Sequence, residues 1–346
     1  MKVVHLFWGF AVGGVENMLA DIIARQVKSA EVHLVVINDQ IDRNLLGRVG
    51  PHCRVHLLNR RIGSKNPLFI LKLNRLLWHI RPDIVHYHAS ELRRLVLVPA
   101  VSVATTHNTN LPTTCYSRMD ALVAISEAVS DDIRKQGDFS PIVIKNGIDV
   151  EQIKKRTKTL SAPFRLVQVG RLLIEQKGQD ILIKALEQLV VREGFCDIQL
   201  DFIGDGPSRA DLERMVSDCG LGAYVRFRGE CDRSYVYEHL KDYDLFVQPS
   251  RFEGFGLTVA EAMAACVPVL VSDNDGPMEI INNGQYGRFF KNMDALSCAS
   301  CIKEIYLHYP VPERLQEARA HVQRYYSMDH LVAEYDAVYR KVLAAR

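Results

Sequence analysis

Short apolar runs alternating with amphipathic helical stretches are the dominant pattern along this chain. Val3 to Phe7, Val32 to Ile37, Val55 to Leu58, Ile84 to His88, Val101 to Thr105, Ala121 to Ile125 and Ile142 to Lys145 read as strands. Strands separated by helices imply βαβ units and a parallel sheet. A polar, lysine-rich segment from Glu151 to Pro163 reads as a linker. A second series then begins with Phe164 to Val169, Ile198 to Ile203, Val225 to Phe227, Leu245 to Val247 and Val267 to Val271. Two α/β domains are expected, over residues 1–155 and 160–325. The tail from about Val311 reads as helical without further strands, and its last part, 326–346, is expected to cross back onto the first domain.

A chain of 346 residues, 48% hydrophobic and 24% charged, can bury two cores. Its eight cysteines are scattered, as in reduced cytosolic proteins, and the nearest pair, Cys298 and Cys301, lies one helical turn apart and reads as packing. Met1 to Val15 reads as a first strand rather than a signal peptide, because Gly13-Gly14 and Glu16 replace a cleavage pattern. No apolar stretch approaches the roughly 20 residues of a membrane-spanning helix. A net charge of +2 argues against a nucleic-acid partner. The charge is unevenly spread: residues 1–150 carry 18 Lys/Arg against 13 Asp/Glu. No acidic residue occurs between Asp42 and Asp83, where basic residues interleave with Leu68, Leu71, Leu77, Trp78 and Ile80. Residues 43–82 therefore suit an anionic membrane surface or an anionic acceptor. They equally suit a sheet-covering helix with a basic exposed face, and both readings stay open.

Candidate chemistry gathers at strand ends. Residues 250–265 place Glu253 and Glu261 around a glycine-punctuated turn that opens into a helix. The run before it reads as a buried strand, so Glu253 falls on the sheet edge where open α/β sheets bind ligands. Gly254 and Gly256 let backbone N–H groups approach an anion at the helix start. Gly170-Arg171-Leu172 ends another strand, and Lys177-Gly178 opens the next helix; a planar fork and a point charge there suit a diphosphate. His107 closes a strand of the first domain, and Gly13-Gly14 follow its first strand. His86 and His88 alternate on one strand and read as structural. The triplets Asp242/Asp244 and Asp273/Asp275 lack a converging third ligand and are not read as a metal site. A G-x-G-x-x-G fingerprint and a phosphate loop are both absent.

Taken in order, Gly13-Gly14, His107, Asn146-Gly147-Ile148-Asp149, Gly170-Arg171-Leu172, Lys177-Gly178, Gly204-Asp205-Gly206-Pro207, Pro249-Ser250 and the Glu253/Glu261 pair resemble glycosyltransferase family 4. The resemblance spans nearly the whole chain and is most specific in the glutamate pair, which has the family's seven-residue separation. It implies a GT-B fold, two Rossmann-like domains facing each other across a cleft, with acceptor bound by the first and nucleotide-sugar donor by the second. It further implies that Arg171 and Lys177 hold the diphosphate, that Glu261 accepts from ribose hydroxyls, and that Glu253 faces hydroxyls of the donor sugar. Backbone N–H groups of Gly254, Phe255, Gly256 and Leu257 would help neutralise phosphate. His107 would reach the sugar, and Gly13 and Gly14 would lie against donor or acceptor. Such enzymes are usually metal-independent, so no metal and no cofactor is expected. Two features depart from the pattern: five residues separate Arg171 from Lys177, one more than is commonest, and Asn108 follows His107 where an acidic residue is frequent.

The activity so implied is retaining transfer of a hexosyl group by front-face displacement. A UDP-sugar is the favoured donor and a GDP-sugar the alternative. The acid-free segment favours a lipid-linked oligosaccharide or lipopolysaccharide core as acceptor, in bacterial surface-polysaccharide assembly, at the cytoplasmic face of the plasma membrane; a soluble acceptor is the alternative. Readings of another class are a sugar-nucleotide epimerase, a glycan phosphorylase with pyridoxal phosphate, and a non-catalytic nucleotide-sugar-binding protein.

Overall fold

A computed structural model describes residues 1–11, 14–108, 111–160 and 162–346 of the chain. It divides into two compact units, one formed by Met1–Gly147 with Met328–Arg346 and the other by Ile148–Ser327. In the first unit the strands are β1 (Lys2–Phe7), β2 (Glu31–Asn38), β3 (Arg54–Arg60), β4 (Ile84–Tyr87), β5 (Val101–Thr106), β6 (Ala121–Ala124) and β7 (Ile142–Val143). They pair in parallel in the order β3-β2-β1-β4-β5-β6-β7. β4, β5 and β6 are buried along their whole length, which is why they read as continuous apolar runs rather than alternating ones. Met18 and Ile22 of helix Gly14–Gln26 and Leu331, Tyr335 and Tyr339 of helix Met328–Ala344 pack into one cluster with Val3, Ile84, Val101 and Val123.

The second unit holds β8 (Phe164–Val169), β9 (Ile198–Ile203), β10 (Val225–Gly229), β11 (Leu245–Gln248), β12 (Val269–Ser272) and β13 (Arg288–Phe290), parallel and in the order β10-β9-β8-β11-β12-β13. β13 escapes a hydrophobicity reading because Arg288 and Phe289 are exposed and only Phe290 is buried. The segment after Glu151, which reads as a linker, is anchored in this unit. The Arg156 guanidinium pairs with the buried Asp244 carboxylate and donates to Tyr243 O at 3.0 Å, while Lys154 N donates to Tyr237 O at 3.1 Å.

Both sheets share one topology. The chain builds outward from a central strand, then returns to that strand's other side, between β1 and β4 in the first unit and between β8 and β11 in the second. At such a switch point the connections leave in opposite directions and open a crevice beyond the strands' carboxyl ends.

Candidate active site

In the second unit the crevice lies beyond β8 and β11. Gly170 and Arg171 leave β8, and the chain turns through the short helix Ile174–Lys177 to Gly178. Gly178 has φ 64°, and a Cβ there would lie 2.0 Å from the Pro249 carbonyl oxygen, so only glycine lets this turn press against the end of β11. Arg251 completes the clamp. Its N–H donates to Gln176 O at 2.8 Å, and its guanidinium grips both oxygens of Asp180 at 2.8 Å in a bidentate pair. The loop below is braced in turn: Leu172 N donates to Asp205 O at 3.0 Å, and Ile174 N to Ser208 Oγ at 3.2 Å.

This packing brings Lys177 and Glu253 together. The ammonium pairs with Glu253 Oε2, which also accepts from Gln248 Nε2 at 3.1 Å and Ser250 Oγ at 3.3 Å. All three contacts fall on that one oxygen. The two side chains are 18% and 14% exposed, so the pair stands at a surface but is largely desolvated. Arg171 is exposed on the loop that leaves β8, ahead of Lys177 in the chain. Gly254 has nothing within 4 Å of where a Cβ would stand, so the turn's backbone is open to an approaching group. Phe255, by contrast, is buried against Tyr326, with ring centroids 5.8 Å apart, and offers a ligand its backbone only. Gly256 caps helix Leu257–Ala264, whose first N–H groups have no carbonyl a turn earlier and carry the positive end of the helix dipole. Glu261 lies in the second turn of that helix, 8% exposed. Burial, reinforced by the Glu261 charge, raises the Tyr237 phenol above its ordinary pKa. A Cβ on Gly276 would stand 2.7 Å from Glu253 O and Phe255 N, so the short helix Asp275–Ile280 after β12 holds the same turn from the far side.

Gly14 and His107 belong to the first unit; Gly13 lies outside the described residues. Gly14 starts the helix after β1. His107 follows β5, is 9% exposed, and its Nδ1 has no partner among the described residues. Burial holds its pKa down to about 4. Three of the four aspartates in the acidic triplets are committed elsewhere: Asp244 to Arg156 and to Arg165 N–H at 2.8 Å, Asp242 to His239 Nδ1 at 2.9 Å, and Asp273 to Asn292 N–H at 2.6 Å. Sequence reasoning named Ser250 only as part of the Pro249-Ser250 motif and did not single out Gln248, Arg251, Asp180 or Gly276. Ser250 and Arg251 stood within the run around Glu253, whereas Asp180 looks like any acidic residue in a helix's first turn.

The profile of glycosyl transferases group 1 matches residues 149–322, and that of glycosyltransferase family 4 matches residues 12–152. The chain belongs to the group 1, family 4 glycosyltransferases. Phosphatidyl-myo-inositol mannosyltransferase of Mycobacterium leprae is 28% identical over 206 residues, 58% of this chain and 54% of that relative, so the chain matches about half of its length. N-acetylgalactosamine-N,N'-diacetylbacillosaminyl-diphospho-undecaprenol 4-alpha-N-acetylgalactosaminyltransferase of Campylobacter jejuni is 24% identical over 311 residues, 80% of this chain and 82% of that one. Among solved structures, Anabaena Alr3699/HepE in complex with UDP has a TM-score of 0.84 at 19% identity, covering 99% of this chain and 100% of that chain. The apo lipopolysaccharide outer core galactosyltransferase WaaB has a TM-score of 0.78 at 19% identity over 99% and 100% of the two chains. The fold is GT-B. In this family 4 glycosyltransferase, Arg171, Lys177, Glu253 and Glu261 fall in the group 1 segment, and His107 falls in the family 4 segment.

Proposed function

We propose that this protein is a retaining glycosyltransferase that moves a hexosyl group from a nucleotide-sugar, with UDP as the favoured nucleotide, to a saccharide acceptor. The observation that carries the reading is the Lys177–Glu253 pair at the β8/β11 switch point, with the exposed Arg171 on the loop that leaves β8 and a helix that starts after Gly256. Arg171 and Lys177 place two positive charges where a diphosphate leaving group would gain negative charge, which lowers the barrier without a metal ion. No metal or other cofactor enters the proposed reaction. The helix N–H groups after Gly256 add to the same field. Glu253 Oε1, which none of the pair's contacts uses, accepts from hydroxyls of the donor sugar, and Glu261 from the ribose.

The reaction is a front-face displacement. The acceptor hydroxyl oxygen bonds to the anomeric carbon on the side the diphosphate leaves. The bond from that carbon to the phosphate oxygen breaks with its electron pair passing to phosphate, and a phosphate oxygen takes the hydroxyl proton. Configuration is retained with no carboxylate adduct, unlike the two-carboxylate route of retaining glycosidases. UDP bound to the Anabaena protein supports the nucleotide, and the diphospho-undecaprenol in the Campylobacter jejuni relative's name supports a lipid-linked acceptor.

The proposed setting is a peripheral position at the cytoplasmic face of an anionic membrane, and surface side chains of the first unit support the membrane contact. Leu68, Leu71 and Trp78 are 55%, 69% and 59% exposed on helix Leu68–Ile80, and Leu57 is 39% exposed on edge strand β3. Arg61, Lys65, Lys72, Arg75 and Arg81 are exposed along the same acid-free stretch. Apolar side chains ringed by basic ones match the interface of an anionic bilayer. Among the described residues no helix is long and apolar enough to cross a membrane.

The test is incubation with UDP-, GDP- and ADP-sugars in EDTA with lipid-linked oligosaccharide acceptors, reading nucleotide release and the anomeric configuration of the product by NMR. An α-linked product from an α-configured donor is expected. An inverted product, or a glycosyl adduct trapped on Glu253, contradicts the mechanism.

A further inference from the structure

Four buried histidines occupy the sheet of the first unit around its own switch point: His5 on β1, His86 on β4, and His88 and His107 just beyond β4 and β5. The nitrogens of His5, His86 and His88 lie within 4.8 Å of one another, a grouping that invites a metal reading. The rings argue otherwise. Their planes are inclined by 36° for His5 and His86, 25° for His5 and His88 and 23° for His86 and His88, so neighbouring rings aim their nitrogens at hydrogen-bond partners. Both nitrogens of His5 and both of His86 are already hydrogen bonded.

Those bonds have a direction. Gln26 Nε2 donates to Asp336 Oδ1 at 3.3 Å, which fixes the amide's orientation and leaves Gln26 Oε1 as a pure acceptor facing His5 Nε2 at 2.8 Å. His5 must therefore carry its proton on Nε2, and its bare Nδ1 accepts from His88 Nε2 at 3.0 Å. His88 Nδ1 is then bare in turn and faces His107 Nε2 at 3.4 Å. Each step holds only while the rings are neutral, and burial depresses the pKa of His5 and His107 to about 4 and that of His88 well below its ordinary value. His86 serves a separate branch, between Tyr339 OH at 2.6 Å and Thr105 Oγ1 at 2.7 Å.

We propose that His5 and His88 are positioning residues that, anchored on Gln26, hold His107 as its Nε2–H tautomer and so present a bare Nδ1 as a hydrogen-bond acceptor for a hydroxyl of the bound substrate. The functional half rests on the glycosyltransferase reading; the tautomer half does not. The Nδ1, unpartnered among the described residues, is the second observation behind it. A buried acceptor without a donor is destabilising, and a group of that kind is kept where a ligand satisfies it. A neutral acceptor at this point selects a hydroxyl and repels phosphate oxygen, which has no proton to give at neutral pH. His107 thus marks where the uncharged part of a substrate lies.

The test is two-bond 1H–15N correlation spectroscopy of the full chain labelled at histidine, near neutral pH, with resonances assigned by single substitutions. Nε2–H tautomers at His5, His88 and His107 are expected. His5→Phe removes the acceptor for His88 and should shift His107 toward the Nδ1–H form, whereas His86→Phe, which deletes an equally buried ring outside the relay, should leave His107 unchanged. An Nδ1–H or charged His107 in the unaltered protein, or equal effects of the two substitutions, overturns the proposal. Where turnover is measured, His5→Phe should lower kcat/KM about tenfold with UDP affinity unchanged. A shifted tautomer with full kcat/KM overturns the acceptor role. An unaltered protein with the expected tautomers but no turnover on any nucleotide-sugar contradicts the proposed reaction instead.

Discussion

Replacing Glu253 by Gln tests how the two charges of the site divide their work. The substitution keeps the side chain's size and removes its charge, so Lys177 loses its anionic partner while Gln248 and Ser250 stay in place around the same position. Breaking a buried ion pair costs about 3–5 kcal/mol, and the 14–18% exposure of these side chains moves the stability loss toward about 2 kcal/mol. Ligand binding should respond in the opposite sense. In the unaltered protein a diphosphate must draw the ammonium away from Glu253; in the Glu253→Gln variant that competition disappears. UDP should therefore bind equally well or up to about tenfold more tightly, a gain of up to about 1.4 kcal/mol. Turnover should fall by about a hundredfold or more, because the carboxylate facing the donor sugar is gone. Lys177→Met should instead weaken UDP and turnover together. The assay is isothermal titration with UDP beside steady-state kinetics, on both single variants and the double variant. The reasoning is refuted if Glu253→Gln weakens UDP as much as it slows turnover.

Gly178→Ala forces a Cβ to within 2.0 Å of a backbone oxygen at φ 64°, so it should destabilise the second unit by more than about 1 kcal/mol; an unchanged melting temperature would show that the turn relaxes freely. Acid should loosen the first unit selectively. The folded pKa values of the buried histidines lie below their ordinary 6.5, so the unfolded chain takes up protons that the folded one refuses; stability is complete above about pH 6.5 and falls toward pH 4, by about 1.4 kcal/mol per pH unit for each such histidine. Both tryptophans, Trp8 and Trp78, lie in that unit, and urea midpoints read by their fluorescence at about pH 7 and pH 5.5 should differ clearly; coincident midpoints would mean the histidines titrate freely. Neutralising Arg61, Lys65, Lys72 and Arg75 together should weaken sedimentation with phosphatidylglycerol vesicles by about three orders of magnitude, at about 1 kcal/mol for each charge, and unchanged sedimentation would return the segment to a sheet-covering role.

The architecture was legible because fully buried parallel strands leave continuous apolar runs, as Ile84–Tyr87 and Val101–Thr106 do. β13 left no such run, since two of its three residues face solvent. Lys177 and Glu253 were each legible from glycines and charges at strand ends, but their pairing was not. It depends on Gly178 meeting Pro249 and on Arg251 gripping Asp180, contacts between residues 71 positions apart that no local pattern encodes. The histidines show the same limit from the other side. His86 and His88 read as structural on alternation alone, and His5 and Gln26 carried no signal at all. Their roles appear only when the β1–β4 pairing sets His5 opposite His86 and the helix after β1 lays Gln26 against them. Arg156 likewise looked like a linker residue until Asp244, 88 positions later, proved to be its buried partner.

Titration of the unaltered protein with UDP, GDP, ADP and their common sugars, in EDTA and without added metal, tests the central claim most directly. The account predicts that one nucleotide diphosphate binds under these conditions and that Lys177→Met abolishes or greatly weakens it. Binding that requires a divalent cation, or no binding to any of the panel, would contradict a metal-free diphosphate site at the end of β8 and β11.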